Sequence, residues 1–395
     1  MAKDVIGKRL VHITTIPLSL LVLINGQITF MKAQGFDVHG IAAPSKLSKK
    51  VVEKYDIPLH EIPMTREISP FKDLLSLWRL TVKLAHLKPD IVHSHTPKGG
   101  LLGMIAAWFN RVPVRIFHLH GLRYSTTRGI KRCILMLSDK LACTLAHQVL
   151  IVSHSVREQA IDDGMCTPEK SHVLVNGSIN GVDAINVFNP AKFDATTSST
   201  IRKQYQIPTD VPVIGIIGRI VRDKGIIEFV QAWQKLRDKF PMSHCLLVGP
   251  FETSDPIPQQ VCELIQNDNR IHITGFVEHH SISSLLSTID VLAFPSHREG
   301  FPISLLEASA MAVPIVTTDA VGCIDAVIHG VTGLIVPVRD ADALHDALTI
   351  YLSDKALCQA HGKAGRERVL RDFKPDTIWH SLLEMYQQLM HKLGN

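Results

Sequence analysis

The chain has 395 residues and a mass of 43.8 kDa, enough for two domains of about 100–200 residues with full cores. Hydrophobic residues make up 46% and charged residues 20%, which excludes a disordered tail protein or a coiled coil and leaves a soluble globular protein. The formal charge is +5, but residues 1–190 hold 23 Lys and Arg against 14 Asp and Glu while residues 191–395 hold 19 against 23, so the two halves face different partners.

In chain order, the first apolar stretch is Ile16–Ile24, interrupted by Pro17 and Ser19 and closed by Asn25-Gly26-Gln27. It falls short of the ~20 residues that a membrane-spanning helix needs. Lys3, Lys8 and Arg9 invite a secretory-signal reading, but Asp4 sits among them and no small-x-small cleavage site follows, so a first strand and its helix are expected. Strands are expected at Leu10–Thr14, Asp37–Ala42, His60–Pro63, Asp90–His95, Val114–His120, Gln148–Ser153 and His172–Val175, with helices such as Phe71–Leu87 and Gly99–Asn110 between them. This βαβ series predicts a parallel sheet covered on both faces. The pattern breaks around Phe188–Ile207, the expected domain boundary. It restarts with strands at Val213–Gly218, His244–Gly249, Ile271–Phe276, Asp290–Pro295, Pro314–Thr317 and Leu334–Pro337. The domains are therefore expected at 1–187 and 188–376, with a last helix in 377–395 folding back over the first. The fold class is α/β, two doubly wound Rossmann-like domains facing each other across a cleft, with ligands at the strands' carboxyl ends. Seven cysteines lie far apart with no C-x-x-C pair, which suits a reducing cytosol and suggests neither a zinc ribbon nor a disulfide framework.

The densest chemistry is in S-H-R-E-G-F-P-I-S-L-L-E, residues 296–307. Pro302 suits a first helical position, so the amides of Ile303, Ser304 and Leu305 would form an anion site. Glu299 and Glu307 flank that helix start and suit sugar hydroxyls on either side of a diphosphate. G-R-I-V-R-D-K-G at 218–225 puts Arg219, Arg222 and Lys224 at the carboxyl end of another strand, where they would neutralise a departing diphosphate. No third glycine completes a dinucleotide fingerprint and no Walker A sequence occurs, so nicotinamide chemistry and ATP hydrolysis lose support. H-S-H (93–95) and H-L-H (118–120) end two strands with His93, His95, His118 and His120 on common faces. A metal site is conceivable there, yet no carboxylate is placed as a ligand and 21 histidines make chance pairs common, so no metal is expected. T-P-K-G-G (96–100) reads as a second anion site with Lys98 at a helix start. Residues 101–150 hold seven cations and one acid, Asp139. That basic surface suits an anionic membrane leaflet, and no nucleic-acid motif accompanies it.

G-R-I-V-R-D-K-G, G-F-V (275–277), F-P-S-x-x-E-G-F-P-x-S-x-L-E-A (294–308) and G-V-T-G-L-I-V-P (330–337) together resemble the family 4 retaining glycosyltransferases of the GT-B fold. T-T-I-P-L-S-L (14–20), H-T-P-K-G-G-L-L-G-M (95–104), H-G-L (120–122) and N-G-S-I-N-G-V-D (176–183) are similar to the bacterial branch that builds surface polysaccharides and lipid-linked oligosaccharides. By position, the resemblance implies that Arg219 and Lys224 bind the donor diphosphate with the backbone of Phe301, Pro302 and Ile303. It also implies that Glu299 faces the anomeric centre, Glu307 holds the ribose, Gly275, Phe276 and Val277 border the nucleobase, and His120 lies near the donor sugar. Gly26, Lys98 and Arg123 are candidates for an acceptor-side or second anion site. One glycine at Asn25-Gly26-Gln27 replaces the usual two, and Ala312 and Cys323 stand where glycine is usual. The expected activity is transfer of a hexose or N-acetylhexosamine from a UDP-sugar to a polyprenyl-diphosphate-linked saccharide, without metal or other cofactor, at the cytoplasmic face of the membrane. A sugar-nucleotide epimerase and a non-catalytic sugar-nucleotide-binding protein are the alternatives.

Overall fold

Runs of Val, Ile and Leu with little polar alternation can be buried on both faces only in a parallel sheet clothed by helices. The computed structural model, which describes residues 5–65 and 67–393, places such runs in two sheets, one in each of two compact units. The first unit is Met1–Asn180 with Pro375–Asn395 and the second is Gly181–Lys374.

The first unit runs β1 (Arg9–Ile13), α1 (Pro17–Val22), α2 (Gln27–Ala33), β2 (Asp37–Ala42), α3 (Ser48–Tyr55), β3 (Leu59–Glu61) and α4 (Pro70–Leu87). It continues with β4 (Ile91–His95), α5 (Pro97–Phe109), β5 (Val114–Leu119), α6 (Gly129–Leu145), β6 (Gln148–Ile151), α7 (His154–Asp162) and β7 (Ser171–His172). The second unit runs α8 (Ala195–Gln204), β8 (Val213–Ile217), α9 (Ile226–Lys239), β9 (His244–Val248), α10 (Gln259–Asn267), β10 (Ile271–Ile273), α11 (Ile282–Leu286) and β11 (Val291–Phe294). It closes with α12 (Ile303–Ala310), β12 (Ile315–Thr318), α13 (Cys323–Ala326), β13 (Gly333–Val336), α14 (Ala341–Ser353) and α15 (Lys355–Asp372), and α16 (Pro375–Leu393) returns to the first unit.

The strand orders are β3-β2-β1-β4-β5-β6-β7 and β10-β9-β8-β11-β12-β13. Both reverse direction beside their first strand, so each sheet has a switch point, at β1/β4 and at β8/β11, where the following loops diverge and leave room for a ligand. The strands expected from sequence all form. Edge strands β7 and β10 are shorter than expected, as suits strands paired on one side only.

The units divide between residues 180 and 181 rather than 187 and 188. Val182, Ala184 and Phe188 are buried in the second unit's core, and the Val182 amide donates to the Phe373 carbonyl at 2.9 Å. The return lies at 374/375 rather than 376/377. Ile378, Leu382, Leu383 and Tyr386 share one face of α16 and are buried with Leu10, Leu20, Ile28, Ile91 and Ile116. Burial of large aliphatic side chains at about 1.5–3 kcal/mol each holds such a helix in place.

Candidate active site

At the second unit's switch point the loop after β8 passes through a 3-10 turn at Arg222–Lys224 to Gly225, which precedes α9 with φ +69°. A Cβ at Gly225 would lie 1.9 Å from the Pro295 carbonyl oxygen. Only glycine lets this loop rest on the end of β11. The contact brings Lys224 to Glu299: its ammonium pairs with Glu299 Oε1, the same oxygen accepts from Ser296 Oγ at 2.7 Å, and Nζ lies 5.4 Å from the Phe294 ring centre. Both side chains are largely buried, at 20% and 14% exposed, so the ion pair is shielded from water and screened little by salt.

The loop after β11 is pinned from below. His297 Nε2 meets Glu228 Oε1 at 3.0 Å, Arg298 donates to Asp223 Oδ2 at 2.9 Å, and Ser296 Oγ, whose proton faces Glu299, lies 3.1 Å from the Asp223 carbonyl oxygen. Burial works to raise the Glu228 pKa, but the His297 hydrogen bond and charge hold it below the usual value. Behind Glu299 lies Cys323, whose thiol is pushed up to about 12 by burial first and by the Glu299 charge second. Ser296, Asp223, Glu228 and His297 carried no role in the sequence reading. Ser296 and His297 adjoin Glu299 in sequence and Asp223 lies within the 218–225 stretch, but what each touches is set by how the loop after β8 meets the loop after β11.

Glu307, on α12, is buried and its Oε1 lies 2.6 Å from Nε2 of the exposed His279. His279 in turn meets the Phe188 ring edge-on, with centroids 5.7 Å apart. Pro302 does not occupy the first helical position. It is the residue before the helix, with extended ψ of 103°, and α12 begins at Ile303, so the amides of Ile303 and Ser304 remain those of a helix start. Phe301 points its ring to the core, 5.6 Å from that of Phe373, leaving only its backbone for an anion. Ala312 adopts φ +58°, the left-handed conformation for which glycine is the usual residue. Arg219 pairs with Glu252 at 2.7 Å rather than with the Lys224–Glu299 pair. Gly275 has φ +68°, the Phe276 side chain is exposed, and Val277 packs on the core.

The first unit gathers histidines. Parallel register sets His12 beside His93 and His95 beside His118, and His120 lies just past β5. His12 Nδ1 is 3.1 Å from His95 Nε2, His95 Nδ1 is 3.2 Å from His120 Nε2, and His93 Nδ1 is 2.6 Å from the Tyr386 hydroxyl on α16. The sequence reading named four of these rings and missed His12, a lone histidine until β1 pairs with β4. Their nitrogens make two three-imidazole groups, His12–His93–His95 and His95–His118–His120, each within 4.8 Å. Burial lowers the His12 pKa to about 3 and that of His120 to about 4. For His93, His95 and His118, burial and then the neighbouring imidazoles lower it further.

Two candidates for an acceptor-side anion site are already engaged. Lys98 pairs with Asp73 at 2.6 Å and donates to Thr65 Oγ1 at 3.1 Å and to the Glu67 carbonyl. Gly26 (φ +84°) leaves no room for a Cβ, which would lie 2.4 Å from the Trp379 ring of α16. Arg123 opens a 3-10 turn, and its charge opposes the burial that pushes Asp139 up to about 7.

The second doubly wound unit brings a cation, a carboxylate and a helix start to the loops at its switch point, and the first is a doubly wound unit as well. Residues 197–368 match the Glycosyl transferases group 1 model and residues 24–177 the Glycosyl transferase 4-like domain model. The chain belongs to family 4 of the glycosyltransferases: it is 34% identical over 387 residues, 97% of this chain and 98% of that protein, to the capsular polysaccharide biosynthesis glycosyltransferase CapM of Staphylococcus aureus. It is 26% identical over 82% of its length, and 83% of the relative's, to the N,N'-diacetylbacillosaminyl-diphospho-undecaprenol alpha-1,3-N-acetylgalactosaminyltransferase of Campylobacter jejuni. Among solved structures, Anabaena Alr3699/HepE in complex with UDP superposes with a TM-score of 0.77 at 19% identity, covering 97% of this chain and all of that one.

Proposed function

We propose that this chain transfers a hexose or N-acetylhexosamine from a UDP-sugar to a polyprenyl-diphosphate-linked saccharide, with retention at the anomeric carbon, in the synthesis of a capsule or related surface polysaccharide. The observation that carries this reading is the Lys224–Glu299 pair beside the start of α12, with Glu307 buried on the same helix. Relatives that build capsule or act on undecaprenol-linked sugars, and a UDP complex of the same fold, support it. In this mechanism the acceptor oxygen attacks C1 from the face that the diphosphate leaves. The C1–O bond to the diphosphate breaks, the C1–acceptor bond forms, and the acceptor proton passes to a donor phosphate oxygen. Lys224, Arg219 and the amides at Ile303 and Ser304 stabilise the growing diphosphate charge without a metal, Glu299 orients the sugar, and Glu307 grips the ribose. His120, with a pKa held at about 4 by burial, is a neutral hydrogen-bonding group rather than a base.

The test is incubation with UDP- and GDP-sugars, with and without lipid-linked acceptors and EDTA. The expected product forms from a UDP-sugar only when acceptor is present, keeps the donor's anomeric configuration by NMR, and forms equally well in EDTA. Acceptor-independent isomerisation of the sugar nucleotide would establish an epimerase instead, and an inverted product would remove the retaining mechanism.

A membrane-borne acceptor requires a membrane-facing surface, and the exposed apolar residues of α4 to α6 support the proposal that they form it. No helix among the described residues is long and apolar enough to cross a membrane. Instead, Phe71, Leu74, Leu75, Trp78 and Val82 form an exposed stripe at helical spacing on α4, and Ile130, Ile134, Leu137 and Leu141 form another on α6. Both helices pack against α5, whose Trp108 and Phe109 are exposed as well. Lys72, Arg79, Lys83, Arg111, Arg128, Lys131 and Arg132 lie among them in the sequence, the arrangement of an interfacial surface that inserts apolar side chains between anionic headgroups. The protein is expected to sediment with anionic vesicles, less so as salt rises. Phe71→Ser and Trp78→Ser should each weaken binding roughly tenfold or more, since a large apolar side chain entering an apolar phase is worth about 1.5–3 kcal/mol. Equal sedimentation with neutral and anionic vesicles, or variants that bind like wild type, would remove this surface from the proposal.

A further inference from the structure

We propose that His12, His95 and His120 form a one-way chain of neutral imidazoles that fixes the tautomer of His120 and presents its Nδ1–H as a donor at the carboxyl end of β5, making His12 and His95 positioning residues. The oxygen this donor meets, a sugar hydroxyl or a phosphate, rests on the transfer reading; the tautomer does not.

A neutral imidazole carries one N–H and one lone pair. The two contacts alternate in the same sense, Nδ1 of His12 to Nε2 of His95 and Nδ1 of His95 to Nε2 of His120, at 3.1 and 3.2 Å. Each contact needs one donor and one acceptor, so the tautomer of any ring dictates the other two. Either all three rings are Nδ1–H and point their protons toward His120, or all three are Nε2–H and point them toward His12.

The buried end decides between the two. His12 Nε2 is buried without a hydrogen-bond partner. With the protons running toward His120 that nitrogen is a bare lone pair, whereas the reverse chain would bury an N–H with nothing to accept it, which folded proteins tolerate less. The forward chain therefore dominates, by about tenfold on the scale of one such unmade hydrogen bond, and it leaves the His120 Nδ1–H outside the chain.

Neighbouring rings keep the chain in register. His118 stacks on His120 (4.5 Å, 17°) and on His93 (5.3 Å, 4°), and Tyr386 anchors His93. Among the described residues no carboxylate hydrogen-bonds any of the five rings, so nothing there stabilises an imidazolium, and the depressed pKa values keep the rings neutral at physiological pH. A metal held by either three-imidazole group would need the lone pair of both members of a hydrogen-bonded pair, His12–His95 or His95–His120, and would break the chain. Metal binding and the chain are therefore mutually exclusive.

The test uses the full chain labelled with ¹⁵N-histidine, in which two-bond ¹H–¹⁵N correlations distinguish the tautomers. The wild type is expected to show His12, His95 and His120 as Nδ1–H. His95→Leu should let His120 populate both tautomers and lower kcat with KM for the donor unchanged. His95→Asn, whose amide nitrogen takes the place of Nδ1 and can donate to His120, should restore the Nδ1–H tautomer and most of the rate. If His95→Leu does not fold, His12→Ala removes the same constraint from the far end. An Nε2–H tautomer of His120 in the wild type would overturn the proposal, as would one left unchanged in both His95→Leu and His12→Ala, or stoichiometric binding of added Zn²⁺ to these rings. If the tautomers behave as stated but UDP-sugar leaves the His120 signals unmoved, the chain stands and the placement of His120 beside the donor sugar falls.

Discussion

Glu299→Gln is expected to abolish transfer while binding UDP at least as tightly as the wild type. In the free protein the Lys224 ammonium is held by Glu299, so a diphosphate must share that cation with a carboxylate. In the proposed mechanism, replacing the carboxylate with an amide leaves Lys224 to the diphosphate alone and removes the group assigned to orient the sugar for attack. Lys224→Ala should lower kcat by about 10²–10³, the usual loss when a preorganised charge stabiliser is removed, and should weaken UDP as well. Arg219→Ala acts in the same direction but less, because its guanidinium is half exposed on Glu252 and works through more water. Glu307→Ala should chiefly weaken donor binding, since a ribose contact is equal in the bound donor and at the transition state. Calorimetric UDP affinities beside initial rates for each variant decide the matter. If Glu299→Gln loses UDP as badly as Glu307→Ala, or retains full transfer, the two carboxylates have been given the wrong roles.

The histidine ladder is expected to make the first unit acid-sensitive. An unfolded histidine titrates near 6.5, whereas folded His12 and His120 titrate at about 3 and about 4 because burial disfavours the charged ring. A folded pKa below the unfolded one gives stability that is present above the unfolded value and is lost as pH falls through it toward the folded value. Near pH 5 each such group has given up about 2 kcal/mol, and His93, His95 and His118 move in the same direction. Against a total stability of about 5–15 kcal/mol, that is enough to open the sheet. Hydrogen exchange on the whole chain between about pH 7.5 and about pH 5, corrected for intrinsic rates, should show amides of β1, β4 and β5 losing protection before those of β8 and β11. Equal losses in the two sheets would mean that the rings are hydrated or charged in the folded state.

The strands and the order of the two βαβ series were legible in the sequence because an apolar run bounded by turn residues is a local property, and right-handed crossovers then leave few ways to arrange parallel strands. Glu299, Glu307, Arg219 and Lys224 could be proposed from the sequence for a related reason: in a doubly wound sheet ligands are met by the loops at the strands' carboxyl ends, and that placement follows from the order of the elements. Pairing between those groups could not be. Lys224 reaches Glu299, 75 positions away, because Gly225 lets one loop lie on Pro295. Likewise His12 joins four histidines from two other strands only through the β1–β4 register. On α4 the apolar positions alone could not tell the face bearing Leu80 and Leu84, which is buried, from the one bearing Phe71, Leu74 and Trp78, which is exposed. Helical period records that a residue is apolar, while burial depends on which neighbours the fold brings against it, and α5 covers only one side. The sequence by itself determined the architecture and the chemistry available at its switch points; tertiary contact decided which charges are already paired, which imidazoles lie within hydrogen-bond reach of one another and which apolar face is left exposed.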